Sequence, residues 1–212
     1  PEKRQGLDDS RGRSNVPGIG PPYRLVQNQA AGSSGLTAGT LSYNNPALQP
    51  GKTLMIDQTV DDFSLPATGG QTFTLASCRG STVVLYFYPK DSTPGCTTEA
   101  QEFRDLHAEF VKTGAIVVGI SRDSIKSHDN FKARQNLPFD LLSDSAEELC
   151  TRFAVIKLKS MYGKQVRGIE RSTFVIDGKG VLRHEWRGVK VAGHAQAVLD
   201  CVTQLRAAST VA

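Results

Sequence analysis

The chain lacks a Cys-x-x-Cys pair, a run of ~18 apolar residues, a Lys/Arg block interleaved with aromatics, and a Cys/His cluster at metal-ligand spacing. Each absence removes a class of function. Without a Cys-x-x-Cys pair there is no disulfide exchange by an adjacent internal dithiol. No transmembrane helix is expected, and the N-terminus lacks the compact apolar core of a secretory signal, so the expected location is cytoplasmic, with no membrane partner. A net charge of +4 reads as a solvated surface with a basic tail, and no nucleic acid partner is expected. No metal and no cofactor is expected either. Cys78, Cys96, Cys150 and Cys201 are the only cysteines, and their irregular spacing fits unpaired thiols in a reducing compartment.

What is present divides into two parts. Residues 1–53 are rich in Gly, Ser, Pro, Asn and Gln with few periodic apolar positions, which predicts a disordered or extraneous N-terminal extension. That shift in composition makes the stretch read as a fusion, an upstream translated segment or a functionless extension. Residues 54–207 read as one domain and 208–212 as a tail. Within the domain, Thr82 to Tyr88 and Ala115 to Ile120 are apolar runs typical of strands buried on both faces. Thr72 to Leu75 and Phe139 to Leu142 read as short strands. Thr97 to Val111, Ser124 to Gln135, Ser145 to Phe153 and His194 to Ala207 have helical periodicity. Ser172 to Ile176 and Val181 to Trp186 flank an Asp177-Gly178 turn signal for a hairpin. The alternation predicts an α/β domain, with a mixed central sheet and helices on both faces.

The chemistry concentrates at Pro89-Lys90-Asp91-Ser92-Thr93-Pro94-Gly95-Cys96, between the buried strand ending at Tyr88 and the helix that follows. A cysteine in the first turn of a helix meets unpaired backbone N–H groups and a partial positive charge, both of which favour thiolate over thiol. Pro94 and Gly95 beside it argue for an accessible sulfur. Thr93 occupies the place of the first cysteine of a dithiol motif, leaving a lone nucleophile with a hydroxyl one turn upstream. A small electrophile that a hydroxyl can orient, such as a hydroperoxide, fits that arrangement.

Pro89, Thr93 and Cys96 match the P-x-x-x-T-x-x-C signature of the peroxiredoxins, and Tyr86 to Ala100 resembles the version found in the bacterioferritin comigratory protein, or peroxiredoxin Q, group. The Glu170-Arg171-Ser172-Thr173-Phe174-Val175-Ile176-Asp177 segment resembles the family's arginine-led strand, and Met161 to Lys164 and Trp186 to Val189 add to the similarity, which runs from Asp57 to Leu205. The resemblance implies a thioredoxin-like fold and a thiol-dependent peroxidase acting on hydrogen peroxide and organic hydroperoxides. It implies that Cys96 attacks the peroxide and becomes a sulfenic acid, that Arg171 supports the charge and that Thr93 orients the substrate. From spacing alone, Arg171 would be a strand-end charge. Pro89 shields the thiolate or simply ends the strand. Glu99 resembles the carboxylate that steadies the arginine, or serves as a first-turn charge on the helix dipole.

Relatives often carry a second cysteine five residues after the first, where this chain has Gln101, or on the next helix, where Ser124 to Gln135 has none. One-cysteine turnover is therefore expected, with thioredoxin, glutaredoxin or a small thiol as reductant; the resemblance favours a monomer. Cys150 and Cys201 read as core packing and Cys78 as exposed in a turn; each remains a possible resolving partner. Tyr88 and Tyr162 read first as packing residues that also border the pocket. The histidines at 107, 128, 184 and 194 lack ligand spacing and read as surface or capping residues. The alternative from another class is a redox sensor or holdase switched by Cys96 oxidation.

Overall fold

The computed structural model describes residues 26–27, 54–161 and 164–210. Its centre is strand β4 (Thr82–Phe87), which pairs in parallel with β5 (Ala115–Ser121) and antiparallel with β9 (Ser172–Ile176). Side chains alternate across a strand, so β4 sends Val83, Leu85 and Phe87 into one apolar layer and Val84 and Tyr86 into the other. A strand with both faces covered reads as a continuous apolar run, and that is what the sequence has here.

An eight-stranded mixed sheet grows outward from this centre in the order β1-β3-β2-β6-β5-β4-β9-β10. β6 (Asp140–Ser143) extends the parallel side; β2 (Ser64–Ala67), β3 (Gln71–Thr74) and β1 (Val26–Gln27) follow it, and β10 (Leu182–Arg187) closes the other edge. Helices α1 (Pro94–Asp105), α2 (His107–Lys112), α3 (Ile125–Gln135) and α5 (His194–Thr210) supply Phe103, Phe110, Phe131 and Val198 to one apolar layer. α4 (Glu148–Arg152) supplies Leu149 and Cys150 to the other, so helices cover both faces as expected. Ribbon β7 (Ile156–Met161) with β8 (Lys164–Ile169) forms a separate two-stranded sheet.

Several elements differ from their expected form. The helix expected over Thr97 to Val111 starts earlier, at Pro94, where the missing N–H costs nothing, and it breaks at Leu106 into α1 and α2. α4 is shorter than Ser145 to Phe153 because the Asp144 carboxylate accepts from the N–H groups of Glu148 (3.0 Å) and Cys150 (2.6 Å) and so sets its start. β2 contains Pro66, which weakens its strand signal; it is tolerated because β2 meets β6 through the Ala67–Leu142 pair alone. Val26 and Gln27 pair with Thr72 and Gln71 on the sheet edge, inside the segment whose composition predicts disorder.

Two histidines read as surface or capping residues are in fact interior: His128 is fully buried and His194 is 6% exposed. His128 sits between the Tyr88 ring and the Asp91 carboxylate, which lies 3.0 Å from its Nδ1. His194 shares a 2.8 Å hydrogen bond with Thr173 Oγ1 and meets the rings of Phe103 and Trp186 edge-on. Gly119 on β5 has a steric reason: a Cβ there would come within 2.6 Å of the Tyr86 ring, and Tyr86 stacks on Phe103 at 4.7 Å.

Burial, and then the charge of Arg171, lower the His194 imidazole to about 4. In the unfolded chain it protonates near ~6.5, so the stability it contributes is complete above that pH and is lost as pH falls toward its folded value. The loss between pH 7 and 4.5 should be on the order of 2 kcal/mol. Urea unfolding at the two pH values is expected to show a smaller loss for His194→Gln than for the unsubstituted chain. Equal losses would exclude His194 as the source.

Candidate active site

The site forms where β4 ends. Tyr88 N–H still donates to Ile120 O at 3.1 Å, after which Pro89 to Thr93 turn the chain into α1. Thr93 is the N-cap, in extended conformation, and its hydroxyl donates to Lys90 O at 3.1 Å rather than to the helix. Cys96 is the third helical residue; Pro94 has no N–H and Thr97 N–H donates to Thr93 O at 2.9 Å, so the N–H groups left without an intrahelical partner in this turn are those of Gly95 and Cys96 itself.

The antiparallel pairing of β4 with β9 brings the second half of the site alongside. Phe87 pairs with Ser172, so Arg171, one residue before β9, lies beside the start of the loop. Its Nη2 donates to Cys96 Sγ at 3.3 Å, and its Nη1 forms an ion pair with Glu99 Oε2. Glu99 follows Cys96 by three residues and so shares its face of α1. The Arg171 carbonyl accepts from Val189 N–H at 3.0 Å, which fixes the arginine backbone to the segment after β10. Sequence positions far apart thus converge on one sulfur, and of the expected residues Cys96, Arg171 and Glu99 are in direct contact. Thr93 and Pro89 are both half-buried in the adjoining loop.

The electrostatics are those of a buried cluster. Burial raises the Glu99 carboxyl to about 7, and the neighbouring guanidinium offsets only part of that rise. Arg171 is disfavoured by burial, yet Glu99 and Cys96 together hold its pKa above the ordinary value. Tyr86 forms an apolar wall of the same region. Burial, then Glu99, raise its hydroxyl well above the ordinary value, and both that hydroxyl and Glu99 Oε1 are buried without a hydrogen-bond partner.

The expectation that Pro94 and Gly95 would leave the sulfur accessible is corrected: they are exposed themselves, while Cys96 is 2% exposed. The side chain turns inward from the first helical turn into the layer containing Tyr86, Ala100 and Phe103. One side of the sulfur is therefore hydrocarbon and the other is the guanidinium. Cys78, expected to be exposed, is 3% exposed, because a short 3-10 turn over Leu75–Cys78 folds its sulfur toward Thr74 O. Burial pushes its thiol up to about 11. Cys150 is fully buried and also raised, by burial and then Asp144, while Cys201 is half-buried and raised by burial. No disulfide joins any of the four. Tyr162 lies outside the described residues.

Sequence reading missed the polar group beneath the loop. Tyr88, expected as packing, also donates through its hydroxyl to Asp91 at 2.7 Å, and His128 Nδ1 lies 3.0 Å from the same carboxylate. The available signal was weak: a charged residue and a histidine, neither with a motif to connect them.

The AhpC/TSA family profile matches residues 56–185. The chain is 58% identical to Peroxiredoxin Bcp of Xanthomonas campestris over 138 residues, covering 65% of this chain and 86% of the relative. It is 47% identical to Peroxiredoxin Bcp of Bacillus subtilis over 153 residues, covering 72% and 98% respectively. Among solved structures, the X. campestris bacterioferritin comigratory protein, studied for alkyl peroxide reduction, superposes with a TM-score of 0.66 at 54% identity, covering 68% of this chain and 92% of that one. A cysteine-to-serine variant of Xylella fastidiosa PrxQ superposes with a TM-score of 0.69 at 45% identity, covering 75% and 99%. On the strength of the matched domain, the chain belongs to the AhpC/TSA family and is a peroxiredoxin with a thioredoxin-like fold.

Proposed function

We propose that the chain reduces hydrogen peroxide and organic hydroperoxides by one-cysteine chemistry at Cys96. The carrying observation is the 3.3 Å contact of Arg171 with the Cys96 sulfur inside the first turn of α1. A guanidinium is permanently charged and donates in a fixed fork, so it stabilises both an anionic sulfur and the charge that develops on a peroxide oxygen. The alkyl peroxide activity studied in the X. campestris relative supports the organic hydroperoxide part of this reading.

In the first step, the Cys96 thiolate attacks one peroxide oxygen in line. A sulfur–oxygen bond forms as the oxygen–oxygen bond breaks, and sulfur loses two electrons to the peroxide. Water or an alcohol leaves after taking up a proton, and Cys96 is left as a sulfenic acid. Thr93 orients the peroxide through its hydroxyl, and Pro89 limits access of bulk water. Glu99 holds Arg171 in place through the ion pair on the shared face of α1.

In the second half, an external thiol attacks the sulfenic sulfur and releases water. A second thiol then displaces the mixed disulfide and regenerates Cys96. One-cysteine turnover is supported by the lack of thiolate character at the other sulfurs: burial raises Cys78, Cys150 and Cys201 alike. Thioredoxin, glutaredoxin or a small thiol serves as reductant. Because Cys96 is 2% exposed, a protein thiol reaches it only after the first turn of α1 moves. Residues 54–207 are read as the catalytic unit, working as a cytoplasmic monomer.

Two experiments test this. Peroxide consumption with a thiol donor is expected to vanish in Cys96→Ser and to fall about 100-fold or more in Arg171→Ala, from loss of charge stabilisation. Full activity in either variant would contradict the assignment. After one equivalent of peroxide without reductant, non-reducing mass spectrometry is expected to show a Cys96 oxygen adduct and no internal disulfide. A bond from Cys96 to Cys78, Cys150 or Cys201 would refute one-cysteine turnover.

A further inference from the structure

The loop between Tyr88 and Thr93 is fastened to α3 by a buried carboxylate that the chemistry above does not use. Asp91 is 6% exposed although it belongs to a connecting loop. Its Oδ1 accepts from Tyr88 Oη at 2.7 Å, and its Oδ2 from Ser127 Oγ at 2.7 Å. His128 Nδ1 lies 3.1 Å and 3.0 Å from the two oxygens. An ionised carboxylate only accepts, so Nδ1 carries the proton and donates. The Asp91 N–H donates to Asp123 Oδ2 at 2.9 Å, and that oxygen also accepts from Ser121 Oγ at 2.7 Å.

The next residue, Ser92, has φ of 60°, the left-handed region that serine adopts at a cost of order 1 kcal/mol. Its hydroxyl accepts from Arg134 Nη2 at 3.0 Å, which ties the turn to α3 a second time. Thr93 follows, its hydroxyl returning to Lys90 O. Asp91 and Ser92, the two residues before Thr93, are therefore both tied to α3.

Burial opposes the charge on Asp91, but the bonds from His128, Tyr88 and Ser127 more than offset it and hold the carboxyl below its ordinary value. Such a network is a poor way to gain stability, since well-packed apolar residues at a buried polar site are often as stable or more so. What the bonds converging on the Asp91 carboxylate provide is a single loop geometry. His128 does not act as a base toward Cys96: its Nδ1 is engaged by Asp91, its Nε2 is buried without a partner, and the sulfur is contacted by Arg171.

We propose that Asp91 and His128 are a positioning pair for peroxide reduction, locking the loop onto α3 so that Thr93 meets the peroxide at the Cys96 sulfur. The proposal rests on the peroxidase reading. Misplacing an orienting hydroxyl by about 1 Å costs up to ~100-fold in rate, whereas attack on iodoacetamide needs the sulfur and Arg171 but not Thr93. The two reactions of Cys96 should therefore separate.

The test measures second-order rates of Cys96 oxidation by hydrogen peroxide and of Cys96 alkylation by iodoacetamide, at one pH, on the full chain. For Asp91→Asn, oxidation is expected to fall about 10-fold or more while alkylation stays within about twofold or rises. Ser127→Ala removes a single bond at the helix surface and keeps the test open should Asp91→Asn fail to fold; its oxidation rate is expected to fall about threefold, with unchanged alkylation. Oxidation at the wild-type rate, or both rates falling by the same factor, would overturn the proposal. An unsubstituted chain that does not react with peroxide would instead refute the peroxidase reading, and this inference with it.

Discussion

Arg171 is the residue on which the rest of the site depends. It arrives from β9, bonds to the sulfur of one α1 residue and pairs with the carboxylate of another, so it joins sheet to helix at the reactive atom. Removing one member of such a buried pair typically costs about 3–5 kcal/mol, because the charge left behind has no water to receive it. The cluster is self-consistent only as a set. Glu99 and Cys96 offset the burial of the guanidinium, the guanidinium offsets part of the burial of Glu99, and the sulfur gains a cation where its other neighbours are hydrocarbon.

The fold makes this convergence simple. β4 and β9 are antiparallel neighbours, so the end of one and the start of the other lie side by side at the same end of the sheet. The loop after β4 and the arginine before β9 consequently face each other without any long excursion of the chain. Both layers of the core bear on the position: alternate β4 residues anchor the strand from either face, and Gly119 on β5 leaves the space that the Tyr86 ring needs beside the sulfur.

The central strands and most of the helices were legible because their apolar periodicity is local, as were Cys96 at a helix start and the Asp177 turn. Arg171 was legible only through resemblance, since nothing in its own spacing distinguishes it from a surface charge. Ribbon β7–β8 was missed because a separate two-stranded sheet with Lys157, Leu158 and Val166 exposed gives no one-sided alternation. The burial of Cys96 and Cys78 was misjudged from neighbouring turn residues, which report backbone shape rather than side-chain direction. The Asp91–His128 bond spans 37 residues between a loop and a helix, and a buried polar pair of that separation leaves no periodic trace.

The central claim is that the guanidinium of Arg171, in contact with the buried Cys96 sulfur, makes that sulfur reactive. The direct measurement compares Cys96 alkylation by iodoacetamide at pH 7 in the unsubstituted chain and in Arg171→Met, which keeps similar bulk over the sulfur while removing the charge. The account predicts that the variant reacts at least about tenfold more slowly, equivalent to roughly 1.4 kcal/mol or more. Equal rates in the two chains would contradict it.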